Sequence, residues 1–500
     1  MGRLKRLFTL FFSFTVVFSV LGFTPIYAKS EVDITNPVTL TWYFIGDGPQ
    51  KDTTKVEKRI HEYLMDNYKM NTRVKLICYD WGRYPENMPN IIDSGQKFDI
   101  CFTSSWSNNY YTQALKGAFL PLNDFLPEYA PKTKALLGED FLKGSQIDGI
   151  NYAIPANSEK ARQIGLLLRK DLVTKYNMDI TKIKSLSNLE PMLALIKANE
   201  PKVEPLKVLE DNASILMALD FDFIGESLPT DLIYPGVIYS DSKDMKVFNE
   251  YEKPETKDFF KTMHKFYALG YVCNEISNRY DYSFLNHEEK VFAGLGNITP
   301  SNTRYLNYMT GYDWIAVPLG PTIMTTQVAT SSMQAISATS PNPERALMFL
   351  ELVNTDEYLN NLVNSGIENV HYIKTGKKSI QPTDNASNYC FQLGWMFGNT
   401  LLNYTKLDES PNYPGSIKDF NEKVQPSKAL GFIFNTSNVE KEIQACDDVW
   451  YEYMPALRIG AKDPDVYLPR MIQALKAAGS DKIIAEKQNQ LDAWLAQCSK

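Results

Sequence analysis

The sequence predicts an α/β protein of two or three lobes. Three observations carry this. Strand-like and helix-like segments alternate from residue 38 onward, the 44% hydrophobic and 22% charged composition is that of a globular protein, and 500 residues exceed what one small core accommodates. Strands alternating with helices imply a largely parallel sheet.

The chain opens with Arg3, Lys5 and Arg6 ahead of an apolar run over 7–23. A basic segment before an apolar one is an export signal. Pro25 and the small residue Ala28 place a cleavage site after Ala28, so that 1–28 is a signal peptide. The alternative is an uncleaved anchor, since roughly 17 apolar residues approach the lower limit for crossing a bilayer. The only later apolar stretch of note, 390–402, is short and interrupted by Gln392, Gly394 and Asn399.

After the leader, 38–45 reads as a buried strand. Val56, Ile60 and Leu64 then show helical spacing behind an expected capping box of Thr54 and Glu57. A second strand over 73–79, a helix over 84–92 and a third strand over 98–102 repeat the pattern. In open sheets of this kind ligands bind beyond the carboxyl ends of the strands. The loops 46–50, 80–83 and 103–110 occupy that rim.

A second α/β region begins with a strand over 163–168, an expected capping box of Ser187 and Glu190, and a helix from about Glu255 that stops at Gly270. After a strand over 314–317, Asn342 and Pro343 start a helix with Ala346, Phe349, Leu350 and Val353 on its apolar face. Two terminal helices follow, one from Pro464 to a stop at Gly479 and one over 481–497.

Several function classes are excluded. A net charge of -7, spread along the chain, provides no basic stripe for nucleic acid. Cys78, Cys101, Cys273, Cys390, Cys446 and Cys498 lack the close spacings of metal or redox sites and are expected as buried thiols. No HExxH, EF-hand or Walker pattern is present, so neither cofactor nor metal is expected.

The stretches 41–52 (TWYFIGDGPQKD), 98–110 (FDICFTSSWSNNY), 152–155 (YAIP), 337–346 (SATSPNPERA), Gly366-Ile367-Glu368 with His371-Tyr372, 431–434 (GFIF) and 483–494 (IIAEKQNQLDAW) occur in this order. Through them the chain resembles the extracellular solute-binding proteins of ABC importers, family 1-like, in the oligosaccharide-binding group with a distinctive helical C-terminal region. The resemblance implies a two-lobed, type II-like periplasmic-binding-protein fold with hinge crossings near Pro155, Pro318 and Ile373. The N-terminal lobe would comprise 29–157 and 319–370. The C-terminal lobe would comprise 158–318 and 371–500, largely helical from about 390. It also implies a small-molecule ligand, in all expectation an oligosaccharide, permease subunits of an ABC transporter as partners, a monomer, and an exported, cell-surface or periplasmic location. Leu21-Gly22-Phe23 lead to Thr24 and not to the lipobox cysteine of similar proteins, which argues against a lipid anchor.

A sugar needs planar polar partners for its hydroxyls and aromatic rings for its C–H faces. The rim supplies both. Asp47 follows the first strand and is the candidate for charge-assisted bonds to two hydroxyls, or else a turn former. Asp80 and Trp81 end the second strand, and Ser104, Ser105, Trp106 and Asn109 follow the third, with helix capping and core packing as their alternative roles. Asn157, at the first crossing, is a further candidate. From the second lobe come Trp395, Asn399 and Phe432, whose aromatic-rich segments have a spacing more often found in a core than in a cleft. His371 either reaches the cleft or braces the hinge with Glu368. The competing enzymatic reading, an exported glycoside hydrolase, would need two carboxylates about 5 to 10 Å apart, drawn from Asp47, Asp80 and Asp99. A binding protein that signals to a membrane receptor is the third reading.

Overall fold

A computed structural model describes residues 32–209, 213–225, 232–272, 290–391, 393–406 and 413–498. The chain divides into Met1–Asp33 and Ile34–Lys500. The expected signal peptide, Cys273 and Gln392 lie outside the described residues.

In the second unit, β1 (Val38–Gly46) buries side chains on both of its faces, Trp42 and Phe44 on one and Tyr43 and Ile45 on the other, as a strand inside a covered sheet must. The helix α1 (Thr53–Tyr68) turns Val56, Ile60 and Leu64 inward at a spacing of one turn. The strand β2 (Thr72–Asp80) alternates buried and accessible positions, the pattern of a sheet edge. Then come α2 (Tyr84–Asp93), β3 (Ile100–Thr103), α3 (Tyr110–Leu115) and β4 (Ala153–Pro155). A second series follows: β5 (Ile164–Arg169), α4 (Glu190–Asn199), β6 (Glu204–Val208), α5 (Pro254–Ala268), β7 (Val291–Asn297), α6 (Pro300–Thr310) and β8 (Trp314–Pro318). The chain continues through β9 (Met333–Ile336), α7 (Pro343–Thr355), α8 (Glu357–Ser365), α9 (Tyr413–Asn421), α10 (Glu440–Arg458), α11 (Pro464–Ala478) and α12 (Ser480–Cys498).

Two sheets result. The first has the order β2-β1-β3-β9-β4 and the second β8-β5-β7-β6. Both are mixed, which corrects the expectation of a largely parallel sheet. β1 is parallel to β2 and β3, whereas β9 is antiparallel to β3 and to β4. The reason lies in the path of the chain: β4 carries it out toward the second sheet and β9 brings it back, so the two neighbours run in opposite directions.

Each sheet has its own core. Leu40, Trp42, Phe44, Ile60, Phe102 and Phe349 belong to one, and Leu166, Leu168, Phe260, Trp450 and Leu491 to the other. Tyr389, Phe391, Leu393, Met396 and Phe397, expected with the second lobe, are buried in the first core. Periodicity marks these residues as buried without saying against what. The sheets are joined by 156–163, by 319–332 and by a third path through α9. On that path Gln425–Pro426 pairs with Ile323–Met324, and Ala429 packs in the second core while Leu430 packs in the first.

Tertiary contacts also overrode two expected caps. Glu57 does not fold back on its own helix but accepts from the Leu76 amide at 2.9 Å and pairs with Lys75 at 3.1 Å. The capping box near α4 is made by Ser185 and Asn188 in place of Ser187 and Glu190. Gly270 and Gly479 do end their helices in the left-handed region, at φ of 67° and 104°.

Candidate functional site

β1 and β2 are parallel and in register from Val38↔Thr72 to Gly46↔Asp80. They therefore end side by side, and Asp47 and Asp80 form one further bridge beyond the sheet. β3 ends beside them at Thr103. The three rim loops expected from the sequence thus converge on one edge.

Three indoles gather there. The ring centroids of Trp81 and Trp106 are 6.5 Å apart, those of Trp81 and Trp395 6.4 Å, and those of Trp106 and Trp395 6.3 Å. Trp81 lies nearly parallel to both others, at 24° and 21°. Trp81 is 44% exposed and Trp106 43%, so neither is a core residue. Beneath them the buried Phe102 ring stands edge-on to Trp395 at 6.0 Å and 87°, and lies 5.6 Å from Trp106.

The indoles are held from outside their own loops. Trp81 Nε1 donates to Asp47 Oδ1 at 2.8 Å, and Trp106 Nε1 donates to the Ser331 carbonyl at 2.8 Å. Trp395 comes from the segment that fills the first core. That segment approaches the end of β1 at Gly46, where a Cβ would lie 3.0 Å from Leu393 Cδ1 and 2.9 Å from Cys78 Sγ. Gly394 is required in the same way, since a Cβ there would meet Asn403 Nδ2 at 1.9 Å.

The remaining rim residues divide into accessible and internal groups. Asp47 is exposed, and Asp80 accepts from the Arg83 amide at 2.9 Å and faces its guanidinium at 3.3 Å. Ser105 is half-buried, with its amide on the Thr330 carbonyl. Ser104 is fully buried and shapes the loop: its hydroxyl donates to the Ser107 carbonyl and accepts from the Trp106 and Ser107 amides. Asn109 caps α3 by accepting from the Thr112 amide, and donates to the Ser105 carbonyl. Asp99, a possible carboxylate of the hydrolase reading, is buried on Thr41 and Ser340.

Four candidates lie inside the protein. Asn157 and Asn399 are buried and bonded to each other, Asn157 Nδ2 to Asn399 Oδ1 at 2.8 Å. His371 is buried against Asp52 and not Glu368. Its Nδ1 accepts from the Ile367 amide, which leaves the proton on Nε2, 3.3 Å from Asp52 Oδ2. Lys55 and this imidazole hold the Asp52 carboxyl below the usual range. His371 also lines a cavity of about 320 Å³ with Tyr372, Tyr389 and Cys390, to which none of the three indoles contributes. Phe432 is buried in the second core against Trp494, with ring centroids 5.9 Å apart.

Trp395 is therefore a neighbour of Trp81 and Trp106 on the first sheet and not an element of the second lobe. Ser331 was not legible as a site residue, because nothing local marks it and its partner Trp106 lies 225 positions away. Among the described residues no group of three or more His, Cys, Asp or Glu is placed to hold a metal, and no helix is long and apolar enough to cross a membrane. Cys78, Cys101 and Cys446 are buried, and burial pushes the Cys78 and Cys446 thiols up to about 12. Contrary to expectation, Cys390 is only half-buried and Cys498 is exposed.

Residues 428–496 match the family model described as a domain of unknown function (DUF3502). A carbohydrate ABC transporter substrate-binding protein of Streptococcus pneumoniae serotype 4 (strain ATCC BAA-334 / TIGR4) is 29% identical over 477 residues, 94% of this chain and 93% of that protein. Among solved structures, the N-glycan transport solute binding protein NgtS of Streptococcus pneumoniae superposes with a TM-score of 0.77 at 27% identity, over 92% of this chain and 99% of its own. The same protein in complex with Man5GlcNAc gives 0.62, at 27% identity and the same coverage. The expected resemblance to solute-binding proteins, and with it the two-lobed α/β fold with a helical C-terminal region, is borne out.

Proposed function

We propose that this chain, homologous over nearly its whole length to carbohydrate ABC transporter substrate-binding proteins, captures an oligosaccharide for an ABC importer and carries out no reaction on it. The observation that carries the proposal is the cluster of Trp81, Trp106 and Trp395 at the rim of the first sheet. Leaving two large indoles more than two-fifths exposed has a solvation cost. A sugar that lays its C–H face on an indole removes that cost, while Asp47, Asp80 and Ser105 supply polar partners for its hydroxyls.

Closure of the second lobe over the bound sugar is the expected response, driven by contacts that exist only in the closed state. We assign the described residues of 34–155 and 333–406 to the first lobe and those of 164–318 and 432–498 to the second. The protein acts outside the cytoplasm as a monomer beside its permease, exported by the 1–28 leader.

The test is a titration of the purified mature chain with Man1GlcNAc, Man5GlcNAc and linear oligosaccharides. Tryptophan fluorescence is expected to change saturably with at least one of them, and the glycan to be recovered unaltered. A flat response across the panel, or the appearance of cleavage products, overturns the reading.

A further inference from the structure

Resting on the capture reading above, we propose that the buried Asn157–Asn399 amide pair couples the indole cluster to the hinge, so that sugar stacked on Trp395 is felt by the crossing segments. Asn157 and Asn399 are positioning residues in this account and touch no ligand.

Asn157 lies two residues beyond β4, in the first segment that joins the sheets. Its side chain donates to Asn399 Oδ1 at 2.8 Å. Its backbone is bound on both sides, the amide to the Gly398 carbonyl at 2.7 Å and the carbonyl by the Thr400 amide at 2.9 Å. Asn399 is fixed in turn, donating to the Asn354 carbonyl at 3.1 Å and accepting from the Leu401 amide at 3.1 Å. With both its groups committed, Asn399 cannot flip to suit a different partner without losing three bonds. The neighbouring Asn360 amide holds the Phe397 carbonyl at 3.0 Å.

Trp395 stands four residues before Asn399, and the second crossing grips it from the other side. Ser332 Oγ donates to the Trp395 carbonyl at 3.3 Å, and the Ser332 carbonyl accepts from the Ala156 amide at 2.9 Å. Gln334 donates to the Met396 carbonyl at 3.2 Å while its oxygen accepts from the Trp42 indole at 2.7 Å. The second indole is tied to the same crossing through the Trp106–Ser331 bond, and the Ser105 amide binds the Thr330 carbonyl. Two of the three indoles are thus one or two hydrogen bonds away from the segments whose backbone must rotate when the lobes close. Buried amide networks of this kind have discrete arrangements, so a displaced indole shifts the hinge between states and does not simply relax.

The experiment compares the wild-type chain with Asn157→Ala, with the isosteric Asn157→Asp, and with Phe432→Ala as a control that loosens the second core without touching the network. Binding of Man5GlcNAc is read by tryptophan fluorescence and closure by the fall in radius of gyration in small-angle X-ray scattering. Both Asn157 variants are expected to keep a saturable fluorescence change, with Kd raised about tenfold because closure no longer adds to affinity. Their radius of gyration should fall by less than half of the wild-type change. Phe432→Ala should melt lower yet close fully. Wild-type closure with Kd within twofold in both Asn157 variants overturns the coupling while leaving the capture reading intact. Absence of binding by the wild-type chain to any glycan overturns the capture reading instead, and the coupling with it.

Discussion

The indole nitrogen of Trp81 donates to Asp47 Oδ1 at 2.8 Å across the carboxyl ends of β2 and β1. Asp47 thereby fixes the plane of an exposed ring that lies nearly parallel to both other indoles of the cluster. Asp47→Ala frees that ring and is expected to weaken glycan binding about fivefold, near 1 kcal/mol for one exposed hydrogen bond. Asp47→Asn keeps an acceptor oxygen and should retain most of the affinity. Calorimetric titration of both variants decides this, and equal losses would show that the Asp47 charge, not its hold on Trp81, matters.

Trp106→Ala and Trp81→Ala should separate binding from stability. Each ring is more than two-fifths exposed, so the melting temperature of the free protein should stay nearly constant. Affinity should fall more than tenfold, or about 1.4 kcal/mol, for loss of a stacking surface. Trp395→Ala removes a partly buried ring that packs on Phe102, and both melting temperature and affinity should drop.

Phe432→Ala is expected to behave in the opposite way. Its ring is buried against Trp494 and close over Gly225, where even a Cβ would come 2.5 Å from Phe432 Cε1. Truncation should cost about 3–5 kcal/mol of stability by denaturant titration. The folded fraction should bind glycan as wild type does.

Two buried carboxyls give the stability a pH dependence of known sign. Burial pushes Glu250 up to about 7, opposed by backbone donors including the Gly236 amide, and pushes Asp222 up to about 6, opposed by Ser427. The folded state therefore holds protons that the unfolded chain has released above about pH 4. Their contribution is fully present at low pH and is lost as pH rises through 6 for Asp222 and 7 for Glu250. In urea titrations from pH 4 to 8, Glu250→Gln and Asp222→Asn should each flatten that decline relative to wild type. A steeper decline in either variant would contradict the assignment.

How much of this was legible beforehand varies with the range of the contact. The strands at 38–46, 72–80 and 100–103 and their shared rim follow from local periodicity and turn residues, and Trp81 and Trp106 lie where that pattern put them. Asp47, Asp80 and Ser105 are on the same edge. Ser104 and Asn109, chosen by the same reasoning, spend their polar groups inside the loop, because a short loop must satisfy its own backbone before it can serve a ligand.

His371, Asn157, Asn399 and Phe432 show the other limit. A buried amide or imidazole and a ligand-binding one are identical as letters, and only the partner distinguishes them. His371 found Asp52, 319 positions away, and Asn157 found Asn399, 242 positions away.

The sequence by itself determined the alternation of strands and helices, the ends of the helices at Gly270 and Gly479, the edge of the first sheet at which aromatic and polar residues meet, and the resemblance to solute-binding proteins. Only the tertiary structure decided that Trp395 joins Trp81 and Trp106, that Tyr389, Phe391, Leu393, Met396 and Phe397 fill the first core, and that Asn157 and Asn399 bond to each other. The physical reason is that local pattern specifies which face of an element is apolar, whereas the face it meets is chosen by long-range packing among many apolar surfaces of equal attraction.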